Sequence, residues 1–377
     1  MNYSIGNRVQ SIGNLQYGTV RSIQESSVTL TMENAPELTV LKKDIVKVSE
    51  EGSTNFENHR GYKRVFAPQR LTLGLFLPLS VYTGKLNVME EHIKHIRYID
   101  QRNFAAIWVR DIPLYDPGFG DAGQVFDALG YLSYLAGQTH QIALGTGSIV
   151  LPLWHPVALA KMIGTLDHLS NNRLLLGIGS GDRMAEFPAF GVDFASRGAR
   201  FANIVEELRM LTSTSFPTIQ SEITQMHGLD LIPKPVNPHI PMLITGSSQQ
   251  SLSWIAAHGD GWITYPGATA SSLHTARLRD KIQAWRALIP HTIFKPHMTN
   301  EWIDLVDDPH FPRTPIQGGF VLKTGRLGLI ELLQEWQEAG VNHAALGIQY
   351  CQRPIPEVID ELASEVLPHF PTLPTTM

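Results

Sequence analysis

Continuous apolar runs recur along the chain from Leu71 onward, separated by stretches of helical periodicity. LTLGLFLP (71–78) is apolar without alternation, the pattern of a strand buried on both faces. After it, Met89, Ile93, Ile96 and Ile99 recur every three to four residues and predict one apolar helix face. AAIWVRD (105–111), a helical stretch around 122–139, QIALGTGSIV (141–150) and a helix from Pro156 to about Ser170 continue the alternation. Pro156 suits a first helical turn, where its missing N–H costs nothing. RLLLGIG (173–179), PMLITG (241–246), GWITY (261–265), a strand near 294–306 and AALGIQY (344–350) complete eight strands of parallel type. Strand–helix alternation repeated eight times predicts a (β/α)8 TIM barrel over residues 71–377. Two excursions, roughly 181–240 and 307–325, exceed ordinary barrel loops and are expected to build the site.

Residues 1–50 have a different rhythm. Arg8-Val9, Gly18-Thr19-Val20, Val28-Thr29-Leu30 and Ile45-Val46-Lys47-Val48 are short, β-branched and set between polar or glycine turns. They predict four or five small strands in an SH3-like β-barrel module. Modules of this kind bind RNA or peptides in some proteins. This segment has as many acidic as basic residues and shows no basic face, so it reads as an accessory module packed on the main body or on a sister subunit. Residues 51–70, EGSTNFENHRGYKRVFAPQR, are polar and read as a linker or a strap over the surface.

Composition narrows the function classes. With 377 residues, 43% of them hydrophobic, the chain can build one large core. A net charge of -5 gives no electrostatic reason to expect nucleic acid or an anionic membrane as a partner. Cys351 is the sole cysteine, which excludes an internal disulfide framework and a clustered cysteine zinc site. The start MNYSIGNRVQ has neither a basic leader nor an apolar core, and no uninterrupted apolar run is long enough to span a bilayer. A cytoplasmic location is the expectation.

In a barrel of this type the active site lies at the C-terminal ends of the strands. Those ends read Pro78-Leu79-Ser80, Arg110-Asp111, Thr146-Gly147-Ser148, Gly179-Ser180-Gly181-Asp182, Gly246-Ser247-Ser248, Tyr265 and Gln349-Tyr350. Glycine and hydroxyl residues dominate, and no His/Asp/Glu set has metal-ligand spacing, so no metal is expected. This composition suits close packing of a flat or phosphorylated cofactor. GIGSG (177–181) fails as a dinucleotide fingerprint, because Asp182-Arg183-Met184 follows and Gly191 comes too late. TGSSQQSLSWIAAHGDGW (245–262) is the stronger signal: a strand ends at Gly246, and a helix is expected to begin near Ser248. Backbone N–H groups with two hydroxyls make a phosphate site without a basic residue. The competing reading is an N-cap serine after a tight glycine turn. Phe76, Trp108, Trp154 and Tyr265 point to an apolar pocket, although core packing explains aromatic residues equally well.

Three separated blocks, LGTGSIVLPLWHPVALA (144–160), LDHLSNNRLLLGIGSGDRMAEFPAFGVDFASRGARF (166–201) and the TGSS…AAHGDGW segment, resemble the bacterial luciferase-like flavin monooxygenases in order and spacing. The resemblance covers about residues 70–370 and leaves the first fifty outside it. It implies a (β/α)8 barrel that binds reduced FMN or, in one branch, the deazaflavin F420 at the strand C-termini. It further implies that Gly147 and Ser148 form a bulge beneath the cofactor ring, often with a non-proline cis peptide. Gly179 and Ser180 would contact the cofactor, and Gly246, Ser247 and Ser248 would hold its phosphate. His155-Pro156 matches the family's strand-to-helix corner, with His155 either structural or a ligand contact. Asp167 and Arg173 match an LD…GR pattern and read as scaffold, while Glu186, Arg197 and Arg200 would hold the 181–201 excursion together. After the second strand, luciferase has an acid followed by a His-His pair. This chain keeps the acid as Asp111 but has no histidine there, which argues against light emission and a luciferase-type base. Arg110 would supply positive charge near a flavin peroxide or an anionic substrate, or form a rim salt bridge. Arg110, Asp111 and His155 are therefore the candidate catalytic residues. The reaction expected is oxygenation of a small organic substrate by reduced FMN and O2, with a separate flavin reductase and a homo-oligomeric protein. The alternatives are F420-dependent hydride transfer and a non-catalytic flavin-binding protein.

Overall fold

The structure is a computed structural model. It describes strand segments between residues 8 and 48, and residues 56–374 except 83, 85–88, 117–125, 238, 266 and 268. β1 (Arg8–Ser11), β2 (Tyr17–Ile23), β3 (Ser27–Met32), β4 (Leu38–Leu41) and β5 (Ile45–Val48) form an antiparallel sheet in the order β4-β3-β2-β1-β5. This agrees with the expected small strands. The pairings among the described residues make a sheet and do not by themselves close an SH3-like barrel.

The remainder is the predicted barrel. β6 (Thr72–Phe76), β7 (Ala106–Val109), β8 (Ala143–Val150) and β9 (Leu174–Gly179) are followed by a small hairpin, β10 (Ile219–Gln220) and β11 (Gln225–Met226). β12 (Met242–Thr245), β13 (Gly261–Thr264) and β14 (His297–Leu305) continue the barrel. β15 (Thr314–Ile316) and β16 (Val321–Thr324) form a second hairpin, and β17 (His343–Gly347) completes the set. Parallel pairing runs β6-β7-β8-β9-β12-β13-β14-β17, and β17 closes onto β6. The second hairpin extends the outer half of β14, where Ile303 pairs Leu322.

Helices α1 (Arg60–Val65), α2 (Met89–Gln101), α3 (Ala128–Ala136), α4 (Pro156–Leu169) and α5 (Arg197–Ser213) belong to the first half. α6 (Leu252–His258), α7 (Ser272–Arg286), α8 (Arg326–Ala339) and α9 (Ile355–Glu361) belong to the second. Two hydrophobic clusters result. One, with Leu73, Leu144, Ile204 and Leu333, fills the space between strands and helices. The other, with Phe76, Trp108, Leu175, Leu243, Ile263, Met298 and Trp302, fills the barrel interior. No helix among the described residues is long and apolar enough to cross a membrane.

The stretch expected as a linker is partly core. Phe56, Tyr62, Val65 and Phe66 join the interior cluster, and α1 lies at the strand N-termini, where Gly61 N–H bonds Asn172 O. Arg64 is buried because its guanidinium donates to Phe104 O and Asn103 Oδ1. His59 caps α1 by accepting from Tyr62 N–H, and its burial pushes its pKa down to about 3. Asp167 and Arg173 are scaffold as expected. Arg173 donates to the carbonyls of Ala136, Thr139, Ile142 and Ser170, and Asp167 Oδ2 accepts from Val236 N–H.

Candidate active site

β8 changes register between Thr146 and Ile149 against β9, and the Gly147–Ser148 peptide in that bulge is cis. The bulge turns Ser148 toward β12, where its hydroxyl bonds that of Thr245. A Cβ built on Gly179 would stand 3.7 Å from Thr245 Cβ and 3.8 Å from Ser148 Cβ, an ordinary contact. Ser148, Gly179 and Thr245 therefore form one low floor across three adjacent strand ends, and Ser180 is buried beside it. Gly147, in the bulge, is covered from the side. A Cβ there would meet Phe76 Cζ at 2.7 Å, so the glycine accommodates Phe76 from the neighbouring arc.

After β12 the chain does not enter a helix at Ser248. α6 starts at Leu252, capped by Ser251, whose hydroxyl accepts from Trp254 N–H. Residues 246–250 are a loop with left-handed backbone at Gly246 (φ 58), Ser248 (φ 46) and Gln249 (φ 62). Open space surrounds the Cβ direction of Gly246. Left-handed conformations at non-glycine residues are costly and concentrate at functional loops. Ser248 is buried and donates to Thr245 O, whereas Ser247 is exposed. Gln250 Nε2 donates to Gly198 O, which ties this loop to the first turn of α5. The excursion after β9 thus reaches the mouth. It is pinned by Arg200 Nε–H donating to Pro152 O, by Arg197 stacked on Phe194 and by Arg183 near Glu186.

The three catalytic candidates separate. Asp111 is buried, and its Oδ2 accepts from Val150 N–H at 3.0 Å and Trp154 Nε1–H at 2.9 Å. Burial raises its pKa while these two bonds oppose the rise. Its carboxylate joins the end of β7 to the end of β8. His155 is exposed at the N-cap of α4, and its side chain makes no capping bond. Arg110 faces the mouth, its guanidinium 4.9 Å from the centre of the Trp302 ring.

Sequence reasoning missed Trp302. HMTNEWIDL (297–305) is buried along its whole length and reads neither as alternating nor as continuously apolar. The Trp302 indole lies against β17 at Gly347, where a Cβ would be only 1.7 Å from the ring. Phe76, Phe320 and Tyr350 surround it, at centroid distances of 5.5, 6.0 and 6.3 Å. The pocket aromatics expected from sequence are distributed differently. Trp108 lies deeper, over Gly145, and donates to His343 Nε2; Trp154 holds Asp111; Tyr265 is exposed. Gln349, at the end of β17, is 5% exposed.

Residues 71–293 match the luciferase-like monooxygenase family. An uncharacterized protein of Mycobacterium bovis is 37% identical over 130 residues, 34% of this chain and 46% of that protein. An F420-dependent glucose-6-phosphate dehydrogenase of Kineococcus radiotolerans is 27% identical over 172 residues, 45% of this chain and 50% of that enzyme. The chain spans about half the length of the curated relatives it matches. Among solved structures, the monooxygenase RslO1 from Streptomyces bottropensis shares the fold with a TM-score of 0.66 at 18% identity, over 79% of this chain and 99% of that one. The oxygenating constituent of 3,6-diketocamphane monooxygenase from Pseudomonas putida, in complex with FMN, aligns with a TM-score of 0.61 at 13% identity, over 79% and 98%.

Proposed function

The chain belongs to the luciferase-like monooxygenase family, and from that premise we propose that it is a flavin-dependent oxidoreductase using reduced FMN and O2 to oxygenate a small organic substrate. The observation that supports this reading is the low floor of Ser148, Gly179 and Thr245 beside the Gly147–Ser148 bulge, continued by the open loop at Gly246. A flat ring with a phosphate tail needs close backbone approach over its length, and small residues at three adjacent strand ends allow it. Ser148, Gly179 and Ser180 would lie along the ring. Gly246, Ser247 and Ser248 would hold the phosphate through backbone N–H groups and the Ser247 hydroxyl.

The bound cofactor would supply the electrons for oxygen activation, which no side chain of this protein can provide. The protein's own part is binding, orientation and charge. Asp111 keeps the β7 and β8 ends together and so fixes the bulge. Arg110 sets a fixed positive charge at the mouth, where it favours negative charge developing on a reacting oxygen. A separate reductase would deliver reduced flavin, and the N-terminal sheet would serve assembly into a homo-oligomer. A second reading, F420-dependent hydride transfer, draws on the Kineococcus radiotolerans relative, whose name includes that cofactor.

Titration with FMN, with anaerobically reduced FMN and with F420, followed by fluorescence, tests the proposal. The expected result is FMN binding that tightens on reduction, and O2 consumption when NAD(P)H, a flavin reductase and an oxidisable substrate are added. Binding of F420 alone would replace the oxygenase reading with the hydride-transfer one.

A further inference from the structure

We propose that Gln349 is a specificity-determining residue of the substrate pocket, selecting a flat, aromatic or conjugated molecule that carries a hydrogen-bond donor beside an acceptor: an amide, lactam, imide or carboxylic acid edge. The inference rests on the oxidoreductase reading of this barrel mouth and deepens it on the substrate side.

Gln349 stands in a turn directly after β17, closed by Cys351 N–H donating to Ile348 O at 3.0 Å. Its side chain is buried, and neither Nε2 nor Oε1 has a hydrogen-bond partner in the described protein. Buried polar groups are nearly always paired, because leaving them unpaired forfeits their hydration without return. A carboxamide with both ends unpaired at a strand C-terminus is therefore placed for a ligand. The surroundings fix what kind. Ile348 packs into the outer layer, while the Tyr350 ring meets Trp302 and Phe320. Just below, Gly347 is covered by the Trp302 indole, and the Arg110 guanidinium lies 4.9 Å from the centre of that ring. Three rings in mutual contact offer apolar surface to a flat molecule, with the Gln349 amide beside them.

A carboxamide presents an acceptor oxygen and an N–H donor side by side, so its complement is a donor next to an acceptor. A hydrocarbon in the same pocket would leave the amide unpaired, and sites built to hydrogen-bond reject analogues that cannot. The imide edge of a flavin or deazaflavin ring has the same chemistry. Gln349, however, lies on the arc of β14, β17, β6 and β7, across the mouth from the low floor of β8, β9 and β12. That placement assigns the amide to the substrate.

Benzamide and ethylbenzene, equal in ring size and differing in the polar edge, are the probes. Their binding to the full-length protein is read by saturation-transfer NMR and tryptophan fluorescence, for the parent, Gln349→Leu and Gln349→Met. The parent should prefer benzamide by at least roughly tenfold, the discrimination that a buried hydrogen-bonding group confers. Both variants should lose that preference, with melting temperatures equal to or above the parent's, since no internal bond is removed. A lower melting temperature in both variants would make the amide structural. Unchanged benzamide affinity, or none in the parent at millimolar probe, would overturn the proposal. Riboflavin and F420 titrations separate the remaining sources: variants that lose riboflavin or F420 and keep benzamide would place the amide on the cofactor ring, again overturning it. A parent that binds neither flavin nor F420 would defeat the oxidoreductase reading, while the benzamide comparison would still decide the role of Gln349.

Discussion

Two arcs of the same barrel mouth are built to opposite rules. Strands β8, β9 and β12 carry Ser148, Gly179 and Thr245 toward their C-terminal ends, with only ordinary contacts around the Gly179 Cβ direction. Strands β14 and β6 carry Trp302 and Phe76, and Gln349 and Arg110 follow β17 and β7; there the Trp302 indole lies over Gly347. The first arc is low and presents backbone; the second is tall and presents rings with two polar groups. A shared scaffold can thus divide its labour. Backbone and small hydroxyls suit a cofactor whose shape never changes, and bulky side chains suit a substrate that must be told from others.

The comparison can be broken most forcefully at Trp302. Removing its side chain leaves a cavity beneath Phe320 and Tyr350, so Trp302→Ala should destabilise the protein by about 3–5 kcal/mol. Urea unfolding reads that loss. Flavin affinity measured well below the unfolding transition should change little, because Ser148, Gly179 and Thr245 keep their contacts with one another. A flavin affinity lost in proportion to stability would show that the arcs are not independent.

The reciprocal substitution is Gly179→Leu. Its Cβ meets nothing closer than 3.7 Å, so the barrel should stay folded while the longer side chain occupies the low floor. Flavin binding should weaken at least about a hundredfold, or roughly 2.7 kcal/mol, with a melting temperature near that of the parent. Gly147→Ala is a poorer test, because Phe76 must move to admit the new Cβ. Parent-like flavin binding by Gly179→Leu would remove the cofactor from this arc.

A smaller effect separates the arcs by pH. Burial pushes the pKa of Glu301 up to about 7, against the hydrogen bonds from Thr269 and Trp302 N–H. Between its ordinary value and about 7 the folded protein holds a proton that the unfolded chain releases. Glu301's contribution to stability is therefore full at low pH and lost as pH rises through about 7. The parent should lose of order 1–3 kcal/mol more than Glu301→Gln between acid and mildly alkaline buffer. Riboflavin affinity should be flat over that window, since Gly147, Ser148, Gly179 and Thr245 do not titrate. Melting curves with equal pH slopes in both proteins would remove Glu301 from this account.

The sequence by itself determined the barrel. Parallel strands are buried on both faces, so each appears as an apolar run, and β6, β8, β9 and β12 lie within the segments read from those runs. The luciferase-like blocks also marked the Gly147–Ser148 bulge, because a run of small residues at one strand end leaves a local signature. Only the tertiary structure decided the rest. Residues 56–66 look polar, yet Tyr62 and Phe66 are core and the buried Arg64 donates to Phe104 O and Asn103 Oδ1, some forty residues away. The start of α6 moved to Leu252 because Ser251, not Ser248, meets the N–H three residues on. Asp111 stands at the predicted strand end, but its partners, Val150 and Trp154, lie some forty residues away, so the tie it makes between two strand ends could not be read locally. Gln349 was visible as a strand-end amide, and nothing local could show that it lacks a partner. Periodicity is set by which faces of an element meet water, a local property written into the chain. The role of a polar side chain depends on which distant groups reach it, and that is fixed only when the barrel closes.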